Sequence, residues 1–296
     1  MAFTRQAAAR RRRALLAFTY LVPAIAMYVA FAIVPLLYTA WLSFFDWDGI
    51  TPGTWTGLSN YAEVVQNPEL RGALVHAAVF VVFYSILPIA IGLVLAGLLG
   101  RGARRGWGAI RTIIFLPQVV PLVAVGIAWR WMYADDGTVN QVLRAVGLGS
   151  VARAWLGDFT LALPAVGLVG TWVMTGLCTV FFLAGMQKID VSLFEAARLD
   201  GAGAVREFLS LIVPLLRQEI AVAMTITVIA ALASFDVVFA TTGGGPGTQT
   251  TVPGVLIYRL AFTEGQVGTA CAMATVLSAL IFAVVICINR LAREKP

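Results

Sequence analysis

The sequence predicts an all-α integral membrane protein with about six transmembrane helices, and three observations carry that prediction. Of its 296 residues, 60% are hydrophobic and 12% charged, at a mean hydropathy of +0.88. A soluble domain normally carries roughly twice that charged fraction. The apolar residues come in blocks of about 20 or more, the length a helix needs to cross about 30 Å of hydrocarbon. Finally, Lys and Arg gather at the ends of these blocks instead of forming a stripe interleaved with aromatics. That placement reads as membrane topology and argues against a nucleic-acid partner, despite a net charge of +6 and a pI near 9.6.

Taken in order, residues 1–14 form a basic tail, and the first span runs over about 15–42. The cluster Arg10–Arg13 before an apolar run has the charged start of a signal peptide. The run continues to about Phe45, however, far beyond an h-region of roughly 7–15 residues, so an uncleaved span fits better. The remaining spans are read at about 74–99, 110–132, 161–186, 220–239 and 267–289, with a short tail at 291–296. Pro23, Pro35, Pro88, Pro117, Pro121 and Pro164 fall inside these runs, where membrane helices tolerate proline and kink. Sixteen Lys and Arg residues lie on one side of the spans and five on the other, which predicts cytoplasmic N- and C-termini.

The connections on the outer side differ in character. Asp46–Arg71 carries Asp48-Gly49 and Pro52-Gly53 turns with several aromatics, and is expected to be compact. Ala134–Thr160 contains a stretch suited to a short amphipathic helix on the membrane surface. Thr241–Thr251, "TTGGGPGTQTT", is a glycine-rich loop. Cys178, Cys271 and Cys287 lack metal-ligand spacing and read as small buried side chains, and His76 is the chain's one histidine, so no metal site is expected.

One inner connection, 187–216, is neither span nor floppy linker. It holds charges whose insertion would cost about 2.5–3.5 kcal/mol each near a bilayer centre, against about 0.5 returned per Leu or Ile. "FEAARL" favours helix, Asp200-Gly201 breaks it, and Val205, Phe208, Leu209 and Ile212 then recur at helical spacing. Two short helices around a glycine turn are predicted, the second placing those four apolar residues on one face and Arg206, Glu207 and Ser210 on another. Physics alone leaves this as an amphipathic connection that anchors the bundle at the interface.

Glu195-Ala196-Ala197, Asp200-Gly201-Ala202, Phe208, Ile212 and Pro214 resemble the EAA loop of the inner-membrane permease subunits of ATP-binding-cassette importers. "FDVVFATTGGGPGTQTTVPGVLIYRLAF", "NYAEVVQNPELRGALVHAAVF" and "IFLPQVVPLVAVGIAWRWMY" are similar to the smaller carbohydrate permeases of the maltose-permease branch. The resemblance implies a bacterial inner-membrane location and a heterodimer with a second permease. It also implies two cytoplasmic ATPases carrying ATP and Mg, and an extracytoplasmic solute-binding protein. By the same carry-over, Glu195, Ala196, Ala197, Asp200, Gly201 and Ala202 form the coupling contact with an ATPase.

The chain itself shows no chemistry of its own. Lys188 and Lys295 are its two lysines and neither follows a phosphate-binding G-x-x-x-x-G-K-[ST] loop, and His76 has no catalytic companions. No cofactor bound by this chain and no catalytic residue is expected. Gly243, Gly244, Gly245 and Pro246 read as a tight turn against the binding protein. Gln118, Trp129, Asn140 and Trp172 are the candidates for a sugar path, although interfacial Trp and helix-bridging polar groups give the same signature. An ion-coupled secondary transporter and a structural membrane subunit remain the alternatives. The first would normally place ionisable groups within spans, where only Asp236 and Arg130 are borderline.

Overall fold

The computed structural model describes residues 18–100 and 106–293, and the expectations resting on Arg5, Arg10–Arg13, Arg101, Arg104, Arg105 and Lys295 lie outside the described residues. Thirteen helices account for most of the described chain. α1 spans Phe18–Leu42, followed by a two-residue β-ribbon (β1, Phe45–Asp46; β2, Thr54–Trp55). α2 is Ser59–Gln66 and α3 is Pro68–Leu99. α4, Trp107–Val119, and α5, Leu122–Met132, follow. α6 is Thr138–Ala145 and α7 is Ala162–Met186. α8 is Val191–Leu199, α9 Ala204–Leu215 and α10 Arg217–Leu232. α11 is Asp236–Thr241, α12 Pro253–Phe262 and α13 Val267–Arg293.

By length and apolarity α1, α3, α7 and α13 each suffice to cross a membrane, and the bent pairs α4/α5 and α9/α10 raise the number to as many as six. Two of the expected spans are not continuous. The third is broken at Val120-Pro121 with a 100° bend between α4 and α5. Proline disfavours the helical conformation at the residue before it, and here Val120 is extended (φ −79°, ψ 133°). The fifth ends at Leu232, and Ala233–Phe235 separate it from the one-and-a-half-turn α11. The second starts earlier than expected, at Pro68, because Asn67 caps it by accepting a hydrogen bond from the Glu69 N–H (2.9 Å).

α1, α3 and α9 each contain one π turn: Val29–Ile33, Val82–Ile86 and Phe208–Ile212. All three end in the same pattern, an isoleucine followed two residues later by proline: Pro35, Pro88 and Pro214. Proline cannot donate, and its ring crowds the carbonyl four residues back. The helix widens, so the residue before each proline donates five residues back: Val34 to Val29, Leu87 to Val82, Val213 to Phe208. In α3 this releases the carbonyl of Phe83, and the Thr171 hydroxyl of α7 donates to it at 2.6 Å. On the other side the Thr227 hydroxyl of α10 donates to Ser85 Oγ at 2.7 Å, both residues buried.

α7 is the most enclosed span, 67% of its apolar window being buried, whereas that of α1 is 0% buried. Its glycines permit this. A Cβ at Gly167 would meet the Phe83 ring at 2.6 Å, one at Gly170 the Tyr84 ring at 2.0 Å, and one at Gly176 the Ile114 carbonyl at 2.4 Å. Small residues at such crossings let membrane helices approach closely, where dispersion replaces the missing hydrophobic drive. Cys178 is buried here as expected, but Cys287 points outward from α13.

Gly170→Ala should lower the melting temperature of the detergent-purified protein by several degrees, since overpacking costs roughly 1–3 kcal/mol. Gly108→Ala, whose Cβ would meet nothing within 4 Å, should leave it unchanged or raise it, as Ala is favoured over Gly in a helix by about 1 kcal/mol. A differential scan of both variants checks the pair.

Candidate functional site

The EAA-like stretch folds as α8, a four-residue turn and α9. Asp190 caps α8 by accepting from the Ser192 N–H (2.9 Å). That bond, followed by one from the Ser192 side chain, holds the carboxyl below its ordinary value of 3.8. A lowered carboxylate value stabilises the fold fully above the ordinary value and is lost only as pH falls through the lowered one, so the cap is intact at neutral pH. At the other end, the Gly201 N–H donates to the Arg198 carbonyl (3.0 Å) and the Ala202 N–H to the Ala197 carbonyl (2.9 Å). These are the two bonds of a Schellman motif, which demands a left-handed residue between them. Gly201 supplies it at φ +74°. Across the turn, Arg198 Nε lies 3.8 Å from Glu207 Oε2, joining α8 to α9.

The apolar face of α9 differs from the expected one. Phe208 and Ile212 turn inward, but Val205 is 72% and Leu209 59% exposed, while Glu207 is buried. The π turn inserts one extra residue into the register, so spacing counted on a regular helix misplaces the side chains on either side of it. The inward pair locks the motif onto the bundle. Ile212 and Leu216 pack with Leu99, Phe182 and Met186, and a Cβ at Gly97 would stand 3.1 Å from the Phe208 ring. Outward, Glu195, Ala196, Asp200 and Gly201 are exposed, beside Leu199 at 89%. Ala197 and Ala202 are half-buried. Beneath α8 lies a cavity of about 420 Å³, walled by Gly100, Met186, Ile189, Phe194, Glu195 and Arg198.

Of the residues expected to line a path, Trp129 and Trp172 meet edge to face with ring centroids 5.5 Å apart. Gln118 sits just before the α4/α5 break, its buried Oε1 without a hydrogen-bond partner. Asn140 is withdrawn from that set. It is fully buried, donating to the carbonyls of Ala134, Asp135 and Arg153 while its Oδ1 accepts from Trp155 Nε1 at 2.8 Å. Its polar capacity is spent folding the segment between α5 and α7.

Three further residues escaped the sequence reading or stood only at its margin. The hydroxyls of Tyr84 and Ser234 are buried without hydrogen-bond partners, and Asp236 opens α11 two residues after Ser234. Tyr84 and Val237 share one core cluster, against which Trp129 and Phe235 pack. The available signal was the polar Ser234 and Asp236 within an apolar run; nothing local marks Tyr84. The glycine-rich loop is compact. Gly243, Gly244 and Gly247 all have positive φ, and the Thr242 and Thr250 hydroxyls meet at 2.6 Å. Gly245 and Pro246 line a cavity of 370 Å³ with Arg130 and Asp135.

The chain matches the family model described as "Binding-protein-dependent transport system inner membrane component" over residues 88–294. It is similar to the "Probable ABC transporter permease protein YurN" of Bacillus subtilis, with 35% identity over 88% of this chain and 90% of that protein. It is also similar to the diacetylchitobiose uptake system permease protein NgcF of Streptomyces coelicolor, 34% identical over 90% of this chain and 80% of that one. In fold it resembles a chain in the crystal structure of a bacterial alginate ABC transporter in complex with an alginate pentasaccharide-bound periplasmic protein. That likeness has a TM-score of 0.79 at 21% identity and covers 96% of each chain. The family match takes in α4 to α13 whole, including the helix–turn–helix around Gly201 and the glycine loop, and the chain belongs to the family of binding-protein-dependent transport system inner membrane components.

Proposed function

We propose that this permease forms half of the translocation path of an ATP-driven importer for a sugar, oligosaccharide or related polyol in a bacterial inner membrane. Its partners are a second permease, two ATPases carrying ATP and Mg, and an extracytoplasmic solute-binding protein. The chain itself is not an enzyme. Both termini and the α8–α9 turn face the cytoplasm, in accord with the distribution of Lys and Arg.

One observation carries the reading: a rigid turn presents Glu195, Leu199 and Gly201 outward while Phe208 and Ile212 grip the ends of α3 and α7. The several exposed apolar side chains around that turn, Leu199, Val205 and Leu209, suit contact with a protein partner. Force applied to that turn is transmitted to the bundle because the inner half of α9 is part of its core. ATP-driven closure of the ATPases would thus rock α3 and α7 and alter the bends at α4/α5 and Ala233–Phe235. The substrate class is supported by the relative named for diacetylchitobiose uptake and by the groups near those bends. The unpaired hydroxyls of Tyr84 and Ser234, the unpaired amide oxygen of Gln118 and the Trp129–Trp172 pair suit a ligand rich in hydroxyl groups and flat C–H faces. α1, unburied along its apolar window, leaves surface for lipid and the second permease.

Gly201→Val should reduce ATP-driven uptake about tenfold, because a left-handed backbone costs a residue bearing Cβ roughly 1–2 kcal/mol. Its amount in the membrane should be unchanged, as a Cβ there meets nothing within 4 Å. Gly203→Ala, at φ −72°, should transport normally; equal uptake by both variants, measured with membrane-level immunoblots, would remove the turn from the mechanism.

Tyr84→Phe removes a buried hydroxyl that has no partner. It should therefore leave thermal stability unchanged or raise it, while slowing uptake. A drop in stability with unimpaired uptake would show the hydroxyl to be structural.

A further inference from the structure

The glycine loop Thr242–Thr251 has four glycines, three of them left-handed, and such a chain loses much conformational freedom when ordered. Among the described residues, its hydrogen bonds stay within the loop or return to α11, with one exception. Gly243 N–H and Thr242 N–H donate to Val238, the Thr250 hydroxyl to Gly245 and the Thr251 hydroxyl to Gly244. The exception is His76 of α3, whose Nδ1 lies 2.8 Å from the Thr251 carbonyl oxygen. A carbonyl can only accept, so Nδ1 carries the proton and donates. The contact joins residues 175 positions apart in sequence.

α3 also holds the helix that follows the loop. Arg259 of α12 pairs with Glu69, and Glu69 and His76 are seven residues apart, on one face of α3. Arg259 also pairs with Glu264 at 2.9 Å. α3 therefore holds the chain at Thr251, the last residue of the loop, and at Arg259 in the helix after it, while the start of the loop is bonded to Val238 of α11. The far end of that helix touches Phe208 of the α8–α9 motif at Gly97.

We propose that His76 is a positioning residue that holds the glycine loop in the shape that receives the solute-binding protein. The assignment of a partner to the loop rests on the importer reading; the clasp does not. The side chain acts through one N–H at the Nδ1 position. Asn offers an amide N–H at nearly that place, whereas Gln reaches as far as Nε2 and Ala offers nothing. The order of effects across these three substitutions reports on the hydrogen bond and not on helix packing.

The test uses the full chain in its complex, in lipid nanodiscs, with amide exchange of residues 242–252 followed by mass spectrometry. His76→Ala and His76→Gln should raise exchange about tenfold, the effect of losing one well-made, partly buried hydrogen bond, and His76→Asn should restore protection. Docking is read with the solute-binding protein recovered from the complex by mild crosslinking, and should weaken in Ala and Gln and recover in Asn. Unchanged exchange in His76→Ala, or Asn behaving like Ala, would overturn the clasp. Increased exchange with unaltered docking would overturn its positioning role. A wild-type complex that yields no binding protein would count against the importer reading instead, while the exchange comparison still decides the clasp.

Discussion

A hydrocarbon medium offers backbone groups no water, so every N–H and C=O freed inside it must find a partner within the protein. Proline frees such groups by necessity, and this bundle places one two residues after an isoleucine in three helices. The structure answers each time with a π turn. In α3 the answer extends outside the helix: the carbonyl of Phe83, left over by the wider turn, is taken by Thr171 of α7, and Ser85 meets Thr227 of α10. The central contacts among these three helices thus follow from satisfying one proline-disturbed turn.

Close approach is the second half of the same solution. Thr171 can reach Phe83 because Gly167 and Gly170, on the same helix, leave room for the Phe83 and Tyr84 rings. The polar contact and the small-residue crossing depend on one another. The arrangement leaves the Tyr84 hydroxyl buried and unpaired, beside the break that starts with Ala233. An unpaired polar group in a tightly packed core is costly unless something else uses it, which is consistent with a role in a solute path.

The same device recurs in α9, where it serves a boundary instead of a centre. The π turn Phe208–Ile212 rotates Phe208 and Ile212 into the bundle and leaves Val205 and Leu209 outside. One short helix thereby belongs to the core at one end and to a protein-facing surface at the other. α3 is placed similarly, with the glycine loop fastened near its start through His76, α12 through Glu69, and the motif packed at its end through Gly97. α3 thus connects the two ends of the bundle, and α9 connects its core to the exposed turn.

Composition and periodicity by themselves determined the membrane class, the approximate spans and the two short helices around Gly201, because these depend on local burial cost and backbone preference. Gly201 was legible since a helix ending in a Schellman motif needs a left-handed residue, and the turn type is written in a few adjacent positions. Only the tertiary structure decided which side chains the π turns rotate, that Asn140 is consumed by local folding, and that Tyr84, Ser234 and His76 matter. Those outcomes turn on partners far away in sequence: Gly170 against Tyr84, Thr251 against His76. A hydrogen bond or a clash between such residues exists only once the helices have packed, and no local pattern records it.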